Sequence, residues 1–318
     1  HGITMQDFNL QQIAAQVQRY AKVYGRYVRA YQRHGAAAQD FYPRVILVPK
    51  IGMLTAGKNA AEALKTAEIY RHTIRILEAA STVGRYTSVS AKEAFGVEYW
   101  PLELYKLSLA PPEAELARQI CLVTGAAGGI GRAIAKRLAE RGASVTVTDI
   151  DGPAVESLAQ ELNASAGRLC AIGVAMDVTS EASIRRALDQ TLKRFGGLDV
   201  LVSNAGIATV ASIDRLSRSE WDRSFLVNST GHFLVSRSVV QWLRAQGLGG
   251  SLVFIASKNV LAPGKDFGAY SAAKAAETQL ARELAIENGE AGIRVNIVNP
   301  DAVFEGSGLW KTIGPSRA

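Results

Sequence analysis

Cysteine, histidine and long apolar runs are all scarce in this 318-residue chain, and each scarcity excludes something. The two cysteines, Cys121 and Cys170, both sit in strand-like apolar runs, which reads as buried free thiols in the reducing cytoplasm and not as a disulfide. The four histidines, His1, His34, His72 and His232, show no metal-ligand spacing, so no metal site is expected. His34 and His72 read as solvent-facing or ordinary packed rings. No apolar run reaches the roughly 18 residues that span a bilayer, so no membrane role is expected. The start, His1-Gly2-Ile3-Thr4-Met5, lacks both the ordered basic and apolar regions of a signal peptide and an initiator Met. We therefore expect a piece of a longer chain.

What is present describes a globular protein: 48% apolar and 20% charged residues, with a net charge of +7. The charge is uneven. Residues 1–112 carry 14 Lys/Arg against 8 Asp/Glu, whereas residues 113–318 carry 22 against 21. The basic residues of the front segment are scattered along helical patterns and form no block, which suits a solvated helix face or an acidic partner domain and not nucleic acid.

In the front segment, Ile13, Val17, Tyr20, Tyr24, Val28 and Tyr31 recur at helical spacing and mark one packed face. Arg44–Pro49 reads as a short strand. Asn59 with Glu62, and Ser90 with Glu93, have capping-box spacing, the first opening a helix to about Ala80. Tyr99-Trp100-Pro101-Leu102-Glu103-Leu104 reads as an apolar docking strip, and Ala110-Pro111-Pro112 as the domain boundary.

From residue 113 onward strand-like and helix-like runs alternate. Strands are expected near Ile120–Thr124, Ser144–Asp149, Leu169–Val174, Val200–Ser203, Leu252–Ala256 and Val295–Val298. Helices are expected near Ile130–Arg141, Ala154–Leu162, Glu181–Arg194, Trp221–Ala245 and Gly268–Asn288. Alternation of this kind predicts a doubly wound, Rossmann-type α/β fold, a parallel sheet wrapped on both faces, with a smaller α-rich segment in front. The turn Gly125-Ala126-Ala127-Gly128-Gly129-Ile130-Gly131, between the first strand and its helix, lets backbone approach a pyrophosphate at the helix N-terminus. Asp149 ends the second strand 20 residues after Gly129, where a carboxylate takes ribose hydroxyls and repels a 2′-phosphate, and Ile150 follows it. NAD is favoured over NADP, because Arg132 begins the helix itself and is only a weak phosphate candidate. Tyr270 and Lys274, four apart, share a helix face. A free tyrosine, with pKa ~10, is a poor base at neutral pH, and an ammonium about 5 Å away supplies about 3 kcal/mol toward the phenolate.

This second block resembles the short-chain dehydrogenases/reductases. The resemblance rests on Thr124-Gly125 through Gly131, Asp177-Val178, Asn204-Ala205-Gly206, Asn228, Ser257, Tyr270-Ser271-Ala272-Ala273-Lys274 and Asn299-Pro300, all in order. It implies NAD contacts from Gly125, Gly128, Gly129, Ile130, Gly131, Asp149, Ile150, Asp177, Val178, Asn204, Ala205, Gly206, Tyr270, Lys274 and Pro300. It implies catalytic roles for Tyr270 as acid/base, Ser257 as donor to the reacting oxygen, Lys274 on the ribose and Asn228 as a water anchor. It also implies the strand order 3-2-1-4-5-6 and a homo-oligomer, dimer or tetramer, built through the two long helices. Ser203 stands where that family has its first motif Asn, and Asp301 where it has Gly. The family continues past the equivalent of Ala318 into lid helices and a seventh strand, so a truncated domain without that strand is expected. Lys258 reads as a solvent-facing loop residue, Trp221 and Phe225 as packing, and Glu305 and Trp310 as candidate pocket residues.

Residues 1–112 resemble the C-terminal part of a class II aldolase, whose His-Gly-x-x-x-x-Gly turn supplies a zinc ligand. Here Ile51 takes the ligand position while Gly52 and Gly57 remain, so that metal site is degenerate. The order of the two blocks is similar to bifunctional rhamnulose-1-phosphate aldolase/lactaldehyde dehydrogenases. That resemblance implies an aldolase domain upstream and lactaldehyde, a small aldehyde/alcohol, as substrate. The alternatives are an NAD-dependent sugar or polyol dehydrogenase and, in another class, a non-catalytic NAD-binding scaffold. Elemental analysis of the purified chain is expected to find only trace zinc; stoichiometric zinc located in residues 1–112 would overturn the degenerate reading.

Overall fold

The computed structural model of the chain describes residues 10–32, 40–109 and 112–303. His1, His34, the Ala110-Pro111 part of the boundary, Glu305, Trp310 and the expected loss of a seventh strand lie outside those residues. Two compact units divide between Pro112 and Glu113.

The front unit holds α1 (Leu10–Tyr31), β1 (Val45–Val48), β2 (Gly52–Thr55), α2 (Ala60–Val83), α3 (Ala91–Glu98) and α4 (Pro101–Ser108). The tyrosines spaced along α1 form a ring ladder that meets α3: Tyr27 and Tyr31 pack on Phe95, and Phe95 stacks on Tyr99. Tyr24 donates its hydroxyl to Glu98, and Tyr27 donates to the same carboxylate at 3.3 Å. Burial and that carboxylate raise the Tyr24 phenol and push the Tyr27 phenol up to about 12. Ser90 and Glu93 form the expected reciprocal capping box.

Three local expectations are corrected here. Asn59 caps α2 by accepting from Glu62 N, but Glu62 accepts from Lys58 N and not from Asn59, so the box is half made. The Gly52–Gly57 stretch, matched to the aldolase turn, contributes β2, which pairs antiparallel with β1. Ile51 sits in the intervening turn, with its N–H on Val48 O at 3.1 Å. The strip Tyr99–Leu104 is not one surface: Tyr99 is buried as the cap of α3, and Pro101 opens α4 as a first-turn proline.

The second unit contains β3 (Ile120–Thr124), α5 (Gly129–Glu140), β4 (Ser144–Asp149), α6 (Gly152–Ala166), β5 (Ala171–Ala175) and α7 (Glu181–Phe195). It continues with β6 (Val200–Ser203), α8 (Arg218–Phe225), a π turn (Leu226–Gly231), α9 (His232–Gln246), β7 (Gly250–Ile255), α10 (Gly268–Asn288) and β8 (Ile293–Val298). All six strands are parallel, in the order β5-β4-β3-β6-β7-β8, which is the predicted 3-2-1-4-5-6. Central strands buried on both faces read as continuous apolar runs, which is why Ile-Cys-Leu-Val-Thr and Val-Leu-Val-Ser were legible.

One core lies on each face of the sheet. Phe254, Leu122, Leu201 and Leu252 anchor the face covered by α7, α9 and α10. Val145, Val147, Val155 and Leu158 lie on the face covered by α5 and α6. Each such side chain contributes about 1.5–3 kcal/mol through burial. The third strand starts two residues later than expected, because Asn163 Oδ1 accepts from Cys170 N (2.7 Å) and Ala171 N (2.8 Å) and holds the entry to β5. Replacing Phe254 with Ala empties a fully buried site and is expected to cost about 3–5 kcal/mol in the denaturant unfolding of this unit. A loss under about 1 kcal/mol would mean that the core is organised differently.

Candidate functional site

Parallel strands on either side of the β3/β6 junction send their chains to opposite faces, which opens a crevice at their carboxyl ends. A four-bond clamp spans it. Thr124 Oγ1 accepts from Asn204 N and Ala205 N, both at 2.9 Å, while Asn204 Nδ2 donates to Thr124 O (2.9 Å) and Gly125 O (3.1 Å). The clamp leaves no room for side chains beneath the glycine turn. A Cβ on Gly131 would lie 2.3 Å from Gly125 O and 2.6 Å from Asn204 Nδ2. Gly125 adopts φ +64°, and its Cβ would meet Ala205 Cα at 2.7 Å. At Gly128 an added Cβ would meet nothing. Gly128 is the N-cap of α5 and makes no side-chain cap bond, so the first N–H groups of α5, at Gly129, Ile130 and Gly131, have no side-chain cap acceptor. A bare helix terminus above a tightly packed glycine floor fits a pyrophosphate.

Asp149 lies beside this turn, at the end of β4. It accepts from Ala127 N (3.1 Å) and Asp151 N (3.2 Å), which fixes its carboxylate at the rim. Arg132 does not face it as a phosphate ligand: it pairs with Glu161, which also binds Lys136 at 2.6 Å. Ile150 is exposed. Asp177, after β5, accepts from Thr179 N and Thr179 Oγ1, at 2.8 and 2.7 Å, in a closed turn, and Val178 is buried against Gly231.

Asn228 occupies the π turn that interrupts the helix expected over Trp221–Ala245. That helix in fact starts at Arg218, behind a Ser217/Glu220 capping box. The widened turn places the Asn228 side chain, fully buried, on both polar groups of Ile207: Oδ1 accepts from its N–H at 2.9 Å and Nδ2 donates to its carbonyl at 2.8 Å. Ser257, at the end of β7, is buried and accepts from Asn259 N at 3.2 Å. Lys274 is 3% exposed, and its ammonium donates to Ile255 O at 2.8 Å. Tyr270, one turn earlier on α10, packs its ring edge on Phe267. A Cβ on Gly206 would lie 3.0 Å from Asn228 Oδ1 and 3.8 Å from Lys274 Nζ, so Asn228, Gly206 and Lys274 converge on one point of the crevice.

Around the open side, Trp221 stacks on Phe225 and also lines a shallow cleft with Ile213, Leu216, Ser217 and Arg218. Lys258 is exposed, as expected of a solvent-facing residue. It sits in a short 3₁₀ turn, its N–H on Pro300 O and its ammonium 3.0 Å from Asp301. That ammonium holds the Asp301 carboxyl below the usual carboxylate range.

Sequence reading missed one group entirely. Glu277, fully buried on α10, places one oxygen 2.8 Å from Lys274 Nζ and the other 3.2 Å from His232 Nδ1. Ser203 Oγ lies 2.7 Å from the same Nδ1, and His232 Nε2 lies 2.8 Å from Ala205 O. The available signal was a charged residue and a histidine at apolar-face positions of two helices, with Ser203 beside them.

Fold and crevice together define a Rossmann-type domain whose crevice is built for a phosphate-bearing ligand. Residues 119–313 match the family model for short chain dehydrogenase, and residues 4–107 match that for aldolase class II, second domain. The chain belongs to the short-chain dehydrogenase family and carries an aldolase-like segment in front. It is 43% identical over 298 residues to the uncharacterized oxidoreductase YuxG of Bacillus subtilis, covering 94% of this chain and 43% of that protein. The chain thus spans less than half the length of that relative. It is 36% identical over 197 residues to the D-threitol dehydrogenase of Mycolicibacterium smegmatis, covering 62% of this chain and 75% of that one. Among solved structures it resembles a 3-ketoacyl-(acyl-carrier-protein) reductase from Brucella melitensis complexed with NADH. That match has a TM-score of 0.56 and 33% identity, and covers 59% of this chain and 77% of the other. The family so assigned is one of oxidoreductases. Among the described residues no helix is long and apolar enough to cross a membrane.

Two glycine substitutions separate packing from ligand contact. Gly131→Ala forces a Cβ into backbone and should lower the melting temperature by about 4–8 °C, as a cost of about 2 kcal/mol implies. Gly128→Ala should leave melting unchanged and weaken nucleotide binding. The reverse pattern in calorimetry and binding titration would contradict this geometry.

Proposed function

We propose that the second unit is an NAD-dependent dehydrogenase acting on a secondary hydroxyl of a small polyol or hydroxy-aldehyde. The observation that carries this reading is the convergence of Asn228, Gly206 and Lys274 at the crevice, with Tyr270 one helical turn from Lys274. The pyrophosphate would rest on the N–H groups of Gly129, Ile130 and Gly131, over the floor set by Gly125, Gly128 and Asn204. The adenosine ribose would meet Asp149, with Ile150, Asp177 and Val178 flanking the adenine side. The nicotinamide end would lie among Ala205, Gly206, Tyr270, Lys274 and Pro300. When bound, the nicotinamide supplies the acceptor for a hydride.

The chain's own residues handle the proton. Tyr270 as phenolate takes the substrate hydroxyl proton while the carbon-bound hydrogen leaves with its electron pair, turning C–OH into C=O. The Ser257 hydroxyl donates to the oxygen that gains carbonyl character. The buried Lys274 ammonium favours the phenolate and orients the ribose, and Asn228 anchors water leading out from Lys274. An aldehyde reacts through its hydrate, which offers the same hydroxyl and the same hydride.

Asp149 held at the rim, and Arg132 committed to Glu161, support NAD over NADP. The D-threitol dehydrogenase relative supports a polyol. The aldolase-like match supports lactaldehyde as the second reading, with an upstream aldolase domain in the parent protein delivering it. A non-catalytic scaffold is disfavoured, since binding alone has no use for Ser257 and Tyr270. A homo-oligomer formed through α9 and α10, working in the cytoplasm, completes the reading.

Tyr270→Phe is expected to lower turnover at least about a thousandfold and to leave NAD affinity within about twofold, measured by NADH absorbance and fluorescence titration. Activity within about tenfold of the parent would assign the acid/base elsewhere. NAD should bind at least about tenfold more tightly than NADP. Asp149→Ala should shrink that ratio, and equal binding in the parent would sink the cofactor assignment.

A further inference from the structure

Beneath Lys274 the four polar groups Ser203, His232, Glu277 and Lys274 come from three elements, β6, α9 and α10, and all are buried. Their hydrogen-bond roles are constrained. Ala205 O can only accept, so the His232 Nε2 facing it at 2.8 Å carries a hydrogen. In the neutral ring Nδ1 is then a lone pair, and Ser203 Oγ, 2.7 Å away, donates to it. Burial and the Lys274 charge hold His232 well below its ordinary value, which keeps the ring neutral. That lone pair takes one donor, which Ser203 supplies, so the Glu277 oxygen 3.2 Å away finds no hydrogen on the ring and is repelled by the lone pair when ionised.

Glu277 therefore acts on Lys274 in two ways. Neutral, it leaves the ammonium charge uncompensated; ionised, it pairs with Lys274 Nζ at 2.8 Å. Burial pushes its carboxyl up to about 7, against the opposing pull of Lys274. The groups facing it are the ammonium of Lys274 on α10 and the imidazole of His232 on α9. The hydroxyl of Ser203 on β6 and the carbonyl of Ala205 after it complete the cluster through His232. Among the described residues, Lys274 is the charged side chain acting on Glu277.

We propose that Glu277 is a positioning residue: it holds the Lys274 ammonium in place and, by gaining or losing its proton, sets how strongly that ammonium favours the Tyr270 phenolate. Neutral Glu277 leaves the full positive charge one turn below Tyr270. Ionised Glu277 cancels much of that charge and disfavours the phenolate. The acid/base thus has a buried counterweight, and Ser203 and His232 hold it in register. This inference rests on the assignment of Tyr270 as the acid/base proposed above.

The test needs no substrate, so it fails or succeeds independently of which alcohol is oxidised. The phenolate ultraviolet absorbance of the full chain is titrated against pH, with Tyr270→Phe as the blank, in the parent and again with Glu277→Gln. Removing the carboxylate should lower the pH at which Tyr270 ionises by about one unit. An unchanged midpoint in a Glu277→Gln protein with the parent's near-ultraviolet circular dichroism overturns the proposal, since a purely structural role would leave the midpoint in place. Should Glu277→Gln fail to fold, nitrogen-15 NMR of the parent decides. His232 should stay neutral with Nε2 protonated, and its Nδ1 shift should step once near pH ~7 as Glu277 ionises. A doubly protonated ring, or no step, overturns it.

Discussion

The clamp between Thr124 and Asn204 is the constraint on which the site depends. Parallel strands can splay at a switch point, and nothing in the sheet ladder beyond Val123↔Val202 ties the β3 and β6 exits together. One threonine hydroxyl accepting from two backbone N–H groups, and one amide donating to two carbonyls, close that gap. Both side chains are largely withdrawn from water, so their bonds are harder to break than surface bonds, and an unmade bond there is costly. The closeness they impose is what excludes a side chain at Gly131 and leaves the α5 terminus bare. The glycine pattern is therefore a consequence of the clamp as much as of the ligand.

Much of this was legible in the sequence because the decisive signals are local. Strand cores such as Cys121-Leu122-Val123 are apolar on both faces, caps such as Ser90 with Glu93 act over three residues, and the glycine turn is contiguous. The fold class followed from alternation, and the strand order from the family resemblance. Boundaries shifted where a distant side chain intervened, as Asn163 does at β5. The half-made cap at Asn59 failed for a local reason, since the adjacent Lys58 N donates to the Glu62 carboxylate instead.

The hidden parts are those that only three-dimensional packing creates. A π turn has no sequence period of its own, and Leu226–Gly231 reads as ordinary helix until Asn228 is seen holding Ile207. Likewise His232 and Glu277 lie 45 positions apart on different helices and meet only when both pack against the same end of β6. A charge at an apolar-face position was the one warning. Lys274 made it interpretable, because a cation buried to 3% exposure needs an acceptor beyond a single carbonyl.

The cysteines carry a different consequence. Both are fully buried in one sheet, Cys121 within β3 and Cys170 just before β5, and burial with the nearby Asp199 charge pushes the Cys121 thiol up to about 12. Burial also raises the Cys170 thiol. Neither sulfur presents a thiolate to solvent at neutral pH, so alkylating reagents meet no nucleophile while the sheet is closed. The chain therefore carries its own silent tags for opening: modification of Cys121 marks separation at the centre of the sheet, and modification of Cys170 marks loosening where β5 begins. Comparing their rates ranks the sheet's regions by how often each one breathes, without introducing a single foreign residue.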